Sequence, residues 1–261
     1  MSNRARRATV LSLTITACLL LLPQSSAGAI WSNSEFQLQL GALEIPEFFP
    51  GAPTGTKDTT IFTFQHASGW KHGENFFFFD VISSDSGGFN DTDTYGEWYS
   101  YFSFRGDKGP REGKLKDVRF IAGFNWDPDA DVIKYLPGIN FQWNINGFAF
   151  LNTDFTFYLD DSVGIAGGGA APAEDDSFMF DVSWKRPFNN GKFSIEGHAE
   201  YIDGRTNEFG GPVESWILAQ PQFRFYPNPN VAFGIEYQYW QNKLGTKTNE
   251  SAVQALFVWV F

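Results

Sequence analysis

Twelve segments of about ten residues, each alternating apolar and polar side chains, recur along the chain between clusters of Gly, Pro, Asn and Asp. They fall near 31–43, 58–68, 74–82, 95–105, 115–126, 132–143, 148–160, 176–186, 192–202, 213–226, 231–242 and 251–261. Successive side chains of a strand point to opposite faces, so a period of two predicts strands with one apolar and one polar face. In the fifth segment Val118, Phe120, Ala122, Phe124 and Trp126 oppose Arg119, Gly123 and Asn125. In the seventh, Leu151, Phe155, Phe157 and Leu159 oppose Asn152, Asp154, Thr156 and Tyr158.

What wets the apolar faces follows from composition. The chain holds 29 Phe, 9 Trp and 9 Tyr, yet no stretch after the N-terminal region approaches the roughly 18 consecutive apolar residues of a spanning helix. Aromatic abundance without a hydropathy peak is what half-lipid-facing strands produce. The predicted fold is all-β, a transmembrane antiparallel β-barrel of about 12 strands with short periplasmic turns and longer extracellular loops. An even strand number returns both ends to the periplasm.

Residues 1–29 read as a signal peptide: Arg4, Arg6 and Arg7 precede an apolar core from Val10 to Leu22, and Ala27 and Ala29 provide an A-x-A site. Cleavage is expected after Ala29, with Ala27 as the alternative, leaving 30–261 as the barrel. Removal deletes the one cysteine, Cys18, so neither disulfide nor thiol chemistry is expected. It also removes three arginines and shifts the formal net charge from −11 to −14. A nucleic-acid partner is excluded on that balance.

The last segment sets Val253, Ala255, Phe257, Trp259 and Phe261 on one face. A terminal Phe after alternating apolar positions resembles the signal read by the outer-membrane insertion machinery. The expected location is the outer membrane of a Gram-negative bacterium, with lipid and lipopolysaccharide as partners.

Two stretches carry a family resemblance: Phe62 to Phe76 (FTFQHASGWKHGENF) and Gly234 to Lys243 (GIEYQYWQNK). Both resemble the Tsx-like (OmpK-type) nucleoside-specific channels of the outer membrane. The resemblance implies a twelve-stranded barrel, a nucleoside permeant, and a possible role as a phage or colicin receptor. It also implies a substrate-binding Phe-Gly element after the first strand, whose nearest match is Phe48-Phe49-Pro50-Gly51, with a proline intervening.

Parity of the strands selects lumen candidates. Of the four phenylalanines from Phe76 to Phe79, Phe76 and Phe78 share a face with Glu74 and Asp80, while Phe77 and Phe79 are assigned to lipid. Phe76, Phe78, Tyr99, Tyr101 and Tyr158 are predicted stacking surfaces for a base. Glu74, Asp80, Asn140, Asp154 and Glu236 are predicted partners of sugar hydroxyls, with Arg119 and Arg224 as donors or counter-charges. The bland alternative is that inward rings fill a narrow barrel and inward ion pairs brace its wall.

Enzymatic activity is not expected, nor is a cofactor or a metal. His72 and His198 make no metal-ligand spacing, and the runs Asp91–Asp93, Asp127–Asp131 and Glu174–Asp176 read as solvated loops. The weakest alternative is a membrane phospholipid hydrolase. His66 and Ser68 lie two apart on the lipid-facing side, resembling the His-x-Ser arrangement of outer-membrane phospholipases, but Gly69 follows where that family has Asn. A barrel acting mainly as a receptor or structural element is the other alternative.

Overall fold

The computed structural model describes residues 29–84, 92–105 and 112–261. The expected leader lies, but for Ala29, outside them. Nine strands follow in order: β1 (Trp31–Ile45), β2 (Gly55–Trp70), β3 (Gly73–Ser84), β4 (Thr92–Ser103), β5 (Leu115–Asp127), β6 (Val132–Trp143), β7 (Phe150–Asp160), β8 (Ser177–Phe188) and β9 (Phe193–Ile202). A two-residue ladder, β10 (Arg205–Thr206) with β11 (Pro212–Val213), sits in the next loop. Then come β12 (Trp216–Ala219), β13 (Gln222–Asn228), β14 (Val231–Gln241) and β15 (Glu250–Val260).

Each wall strand pairs antiparallel with its sequence neighbours, and β1 closes on β15 with Phe36 opposite Trp259. Closure leaves no unpaired sheet edge. The predicted tenth strand, 213–226, is divided. β12 and β13 both lie between β9 and β14, so together they make one of twelve wall strands. The break falls at Gln220-Pro221 because Pro221 has no N–H for the ladder. Gln220 N–H donates to the His198 carbonyl (3.0 Å) and Tyr237 N–H to the Pro221 carbonyl (3.0 Å), so pairing resumes on either side. Opposite the break stands Gly197 with φ 142°, where a Cβ would lie 2.2 Å from the Gln220 carbonyl oxygen. Only glycine fits that backbone and that space.

The outer wall is aromatic. Phe157 is 58% exposed, Val253 59% and Trp259 51%. Phe36 stacks on Phe62 and on Phe261, each at 5.3 Å between ring centroids. Phe261 also seals the seam, donating its N–H to the Ser34 carbonyl (2.9 Å). So continuous an exposed apolar band is incompatible with bulk water as the surrounding medium. The inner wall is dense and only partly polar: Gln37, Thr63, Asn140, Thr156, Gln222 and Gln254 are buried on it, and Ile121, Leu136, Tyr158, Met179 and Ile202 pack with Tyr99 in an apolar cluster.

Connections at one end are short, as at Lys71-His72 and at Asn189-Asn190-Gly191, three residues with positive φ. Those at the other end include 161–176, 203–215 and 242–249. The glycine-rich segment Gly164–Ala173 is pinned by one carboxylate. Glu208 accepts N–H bonds from Ile165 (2.7 Å), Ala166 (3.2 Å) and Ala173 (3.1 Å).

Candidate functional site

All twelve predicted lumen residues fall on the inward parity. Cross-strand partners share a face, and the register links Glu74 to Tyr101, Phe76 to Tyr99, Asp80 to Tyr95 and Arg119 to Asn140. Asn140 faces Asp154 in turn, and Glu236 faces Gln222. The outward partners of β3 are Phe77 and Phe79, which pair with His66 and Phe64 of β2.

Five of these residues form one hydrogen-bonded brace across β3 to β7. Arg119 pairs with Glu74 through Nη1 and donates from Nε to Asn140 Oδ1 (2.8 Å). Asn140 donates to the Asp154 carboxylate, which also accepts the Tyr101 hydroxyl (3.1 Å). The Arg119 guanidinium lies 4.7 Å from the Tyr101 ring centroid.

A second brace crosses the opposite wall. Arg224 of β13 grips Glu35 of β1 with both terminal nitrogens, at 3.1 and 3.0 Å. Its Nε donates to Gln222 (2.7 Å), and Glu236 accepts from Gln39 (3.0 Å), Gln222 (2.6 Å) and Gln254 (2.9 Å). The first brace centres on β5 and the second on β14–β15, about half a circumference away in the strand order.

Beside the first brace, the inward face of β3 and β4 is aromatic. Phe76 and Phe78 lie 6.2 Å apart between centroids, Tyr99 stacks with Tyr101 at 6.2 Å, and Phe78 meets Tyr95 at 6.0 Å. Tyr95 and Tyr99 both donate to Glu97, at 2.5 and 2.8 Å, and Thr63 donates to Asp80 (2.6 Å). Facing them are Asp181, His198 and Glu200 of β8 and β9, and Glu97 interacts electrostatically with His198 and Asp181 across the lumen.

The loop end is narrowed by residues that periodicity could not single out. Arg205, from the β10–β11 loop, lies 4.6 Å from the Trp216 ring and 5.1 Å from the Tyr158 ring. Its Nη2 is 2.7 Å from Glu174, which also takes Lys134 at 2.7 Å. Tyr158 therefore belongs to this rim cluster and not to the stack of Tyr99 and Tyr101. Lys243 binds Glu250 (2.8 Å) and lies 5.3 Å from the Trp240 ring. Outside this rim, Phe48 and Phe49 line a cavity of about 380 Å³ with Pro212, Glu214 and Lys247. The predicted Phe-Gly counterpart thus stands at the entrance, in a loop, and not inside the barrel.

Two sequence-derived alternatives take a different form. His66 Nδ1 is bonded to the Ser34 hydroxyl (2.7 Å) of the neighbouring strand and not to Ser68, and its ring packs 5.3 Å from Phe77 on the outer wall. Ser34 and His66 are register partners separated by 32 residues, so no local motif signals the pair. Of the acidic runs, Asp127 and Asp129 converge with Asp93. Asp127 accepts the N–H groups of Asp129 (3.0 Å) and Ala130 (2.8 Å), while Asp129 accepts Thr94 N–H (2.8 Å) and hydroxyl (2.7 Å). The bonds to Asp127 are the turn's own, and those to Asp129 tie the turn to β4.

No protein-family model matches the chain, and no curated protein sequence matches it. Its fold is similar to solved outer-membrane barrels. The NanC porin shares 8% identity over 86% of this chain and 98% of its own, with a TM-score of 0.55. Outer membrane phospholipase A from Escherichia coli shares 10% over 91% and 93%, with a TM-score of 0.53. The KdgM porin shares 9% over 87% and 99%, at 0.47. At such identities the likeness is one of fold: a closed, twelve-stranded antiparallel barrel of the outer-membrane type.

Proposed function

We propose that this barrel is an outer-membrane channel for passive diffusion of small polar molecules, with nucleosides as its preferred permeants. The observation that carries the reading is the division of the lumen into an aromatic wall and a hydrogen-bonding wall. Phe76, Phe78 and Tyr95 offer ring faces to a flat base, and the Asp181, His198 and Glu200 side offers partners to sugar hydroxyls. Filler alone requires volume, not a ring content concentrated on one wall. The stretches resembling Tsx-like channels support the same class of permeant.

Asn140, Asp154 and Glu236 then act differently from the expectation that they hold sugar hydroxyls, while Arg119 and Arg224 serve as counter-charges to the wall itself. Their polar atoms are largely engaged with one another, so in this reading they shape the bore while Phe76 and Phe78 contact the solute. The test is conductance of the reconstituted barrel in planar bilayers. Small single-channel currents should fall on adding adenosine or uridine, and Phe76→Ala with Phe78→Ala should weaken that block by about tenfold or more, since base–aromatic stacking contributes about 1–3 kcal/mol per base. Currents indifferent to millimolar nucleoside would defeat the permeant assignment.

Lipid hydrolysis is a second reading, favoured by the Ser34–His66 contact on the outer wall. Phospholipid cleavage that survives Ser34→Ala would remove its basis.

A further inference from the structure

We propose that Asp181, His198 and Glu200 form a lumenal binding site for a divalent first-row transition-metal ion of the Zn²⁺ or Ni²⁺ class. The inference rests on the barrel and its register, not on the nucleoside reading. Sequence spacing concealed the site because the third residue comes from another strand. His198 and Glu200 are two apart on β9 and so share a face, and Asp181 of β8 stands directly opposite Glu200. Each offers one ligand atom, and the three atoms lie within 4.8 Å of one another.

The imidazole is already set for a ligand role. Gln220 donates its amide N–H to Gln238 Oε1 (2.9 Å), which turns its own Oε1 toward His198 Nε2 at 2.8 Å. Nε2 must then carry the proton, and the Nδ1 lone pair faces Asp181 Oδ2 at 3.2 Å. Two acceptors so close need a cation between them, either a proton or a metal. Ligand atoms bound tetrahedrally at about 2.0–2.2 Å lie roughly 3.4 Å apart, so this pair has the required spacing and the flexible Glu200 carboxylate has only to close in. Metal-bound histidines usually donate their other N–H to such an orienting acceptor.

The surroundings favour positive charge. Asp80, Glu97 and Glu236 all interact electrostatically with His198, while Arg224, the cation acting on Glu236, is itself gripped by Glu35. One nitrogen with two carboxylates suits Zn²⁺, Ni²⁺ or Cu²⁺, whereas Ca²⁺ and Mg²⁺ prefer all-oxygen sets.

The test is titration of the detergent-solubilised barrel with ZnCl₂ alone by isothermal calorimetry. The parent should bind one ion, and excess CaCl₂ should not displace it. His198→Gln and Glu200→Gln should each weaken binding by more than about tenfold, and Gln220→Leu, which removes the orienting acceptor, by roughly 10–100-fold. Asp127→Asn, in the loop carboxylate cluster, should change nothing. Because His198→Gln could disturb the wall, CuCl₂ electron paramagnetic resonance of the parent is the second readout: one imidazole nitrogen should couple to the copper. Absent zinc binding, full affinity in either ligand variant, displacement by equimolar calcium, or a copper signal without nitrogen coupling would each overturn the site.

Discussion

Replacing Arg224 by Met tests whether the lumen is as dry as its packing indicates. The guanidinium and the Glu35 carboxylate are each only 3% exposed and meet through two parallel bonds of 3.0 and 3.1 Å. Glu196 stands 3.5 Å from the same guanidinium. Arg224→Met would strand Glu35, whose remaining donors are the amides of Gln37 (2.7 Å) and Gln65 (3.2 Å). Breaking a buried pair by removing one partner costs about 3–5 kcal/mol, whereas an exposed pair contributes about 0–1 kcal/mol. Arg224→Met should therefore lower the unfolding free energy by about 3–5 kcal/mol, a factor of roughly a hundred or more in the equilibrium constant. The double variant Arg224→Met, Glu35→Leu should recover most of that loss, because it removes the stranded charge, and Glu196 keeps Lys185 at 3.0 Å. The assay is reversible urea unfolding in detergent or lipid, followed by tryptophan fluorescence. A single variant within about 1 kcal/mol of the parent would show that water screens the brace, and a double variant no better than the single would refute the stranded-charge argument.

Three further perturbations address other parts of the barrel. Phe157→Arg, on the outer wall where the ring is 58% exposed, should destabilise insertion by about 2–4 kcal/mol if that surface faces the bilayer midplane; an unaffected folding yield in vesicles would contradict the lipid assignment. Arg205→Ala removes the side chain packed between Trp216 and Tyr158 and should loosen the loop by about 1–2 kcal/mol, raising single-channel conductance; unchanged current would show that the bore bypasses this rim. Gly197→Val drives a Cβ against the Gln220 carbonyl at a φ of 142°, so the heat-modifiable folded band on gels should be lost, and a normal band would show that the strand break can shift.

The wall was legible in the sequence because a strand writes its two faces into alternate residues. The four phenylalanines of β3 separate as parity demands, with Phe76 and Phe78 inward and Phe77 and Phe79 outward. What parity does not encode is the partner. Arg224 and Glu35 are 189 residues apart and three strands distant around the barrel, and they meet only after β1 has closed on β15. Arg205 and Lys243 come from loops, where no period exists to place a side chain, yet both reach the mouth of the lumen. The strand break was missed although Pro221 announces it, since a run of inward and outward residues continues on both sides. Ser34 and Asp181 were overlooked as partners of His66 and His198 for a shared reason: each lies across the sheet, not along the chain.

The lumen's cations are held in ion pairs with its wall and rim, and this shapes what a solute would meet. Arg119 is held by Glu74, and Arg224 by Glu35 and Glu196, so both guanidinium groups are neutralised in the wall. Lys134 and Arg205 share Glu174 at the rim. Midway along the bore Asp80, Glu97, Asp181, Glu200 and Glu236 act on one imidazole, His198. Clefts lined by one sign of charge with low-dielectric walls focus their field, so the carboxylates ionised at this level would repel anions. In the proposed reading a neutral solute would hydrogen-bond to this level while its rings meet Phe76 and Phe78 on the facing wall. An anionic solute would gain the same stacking but would have to pass the carboxylates. If the proposed nucleoside reading holds, adenosine should therefore block the single-channel current while its monophosphate, tested at the same concentration in planar bilayers, should not, and equal block by both would refute the role given to these carboxylates.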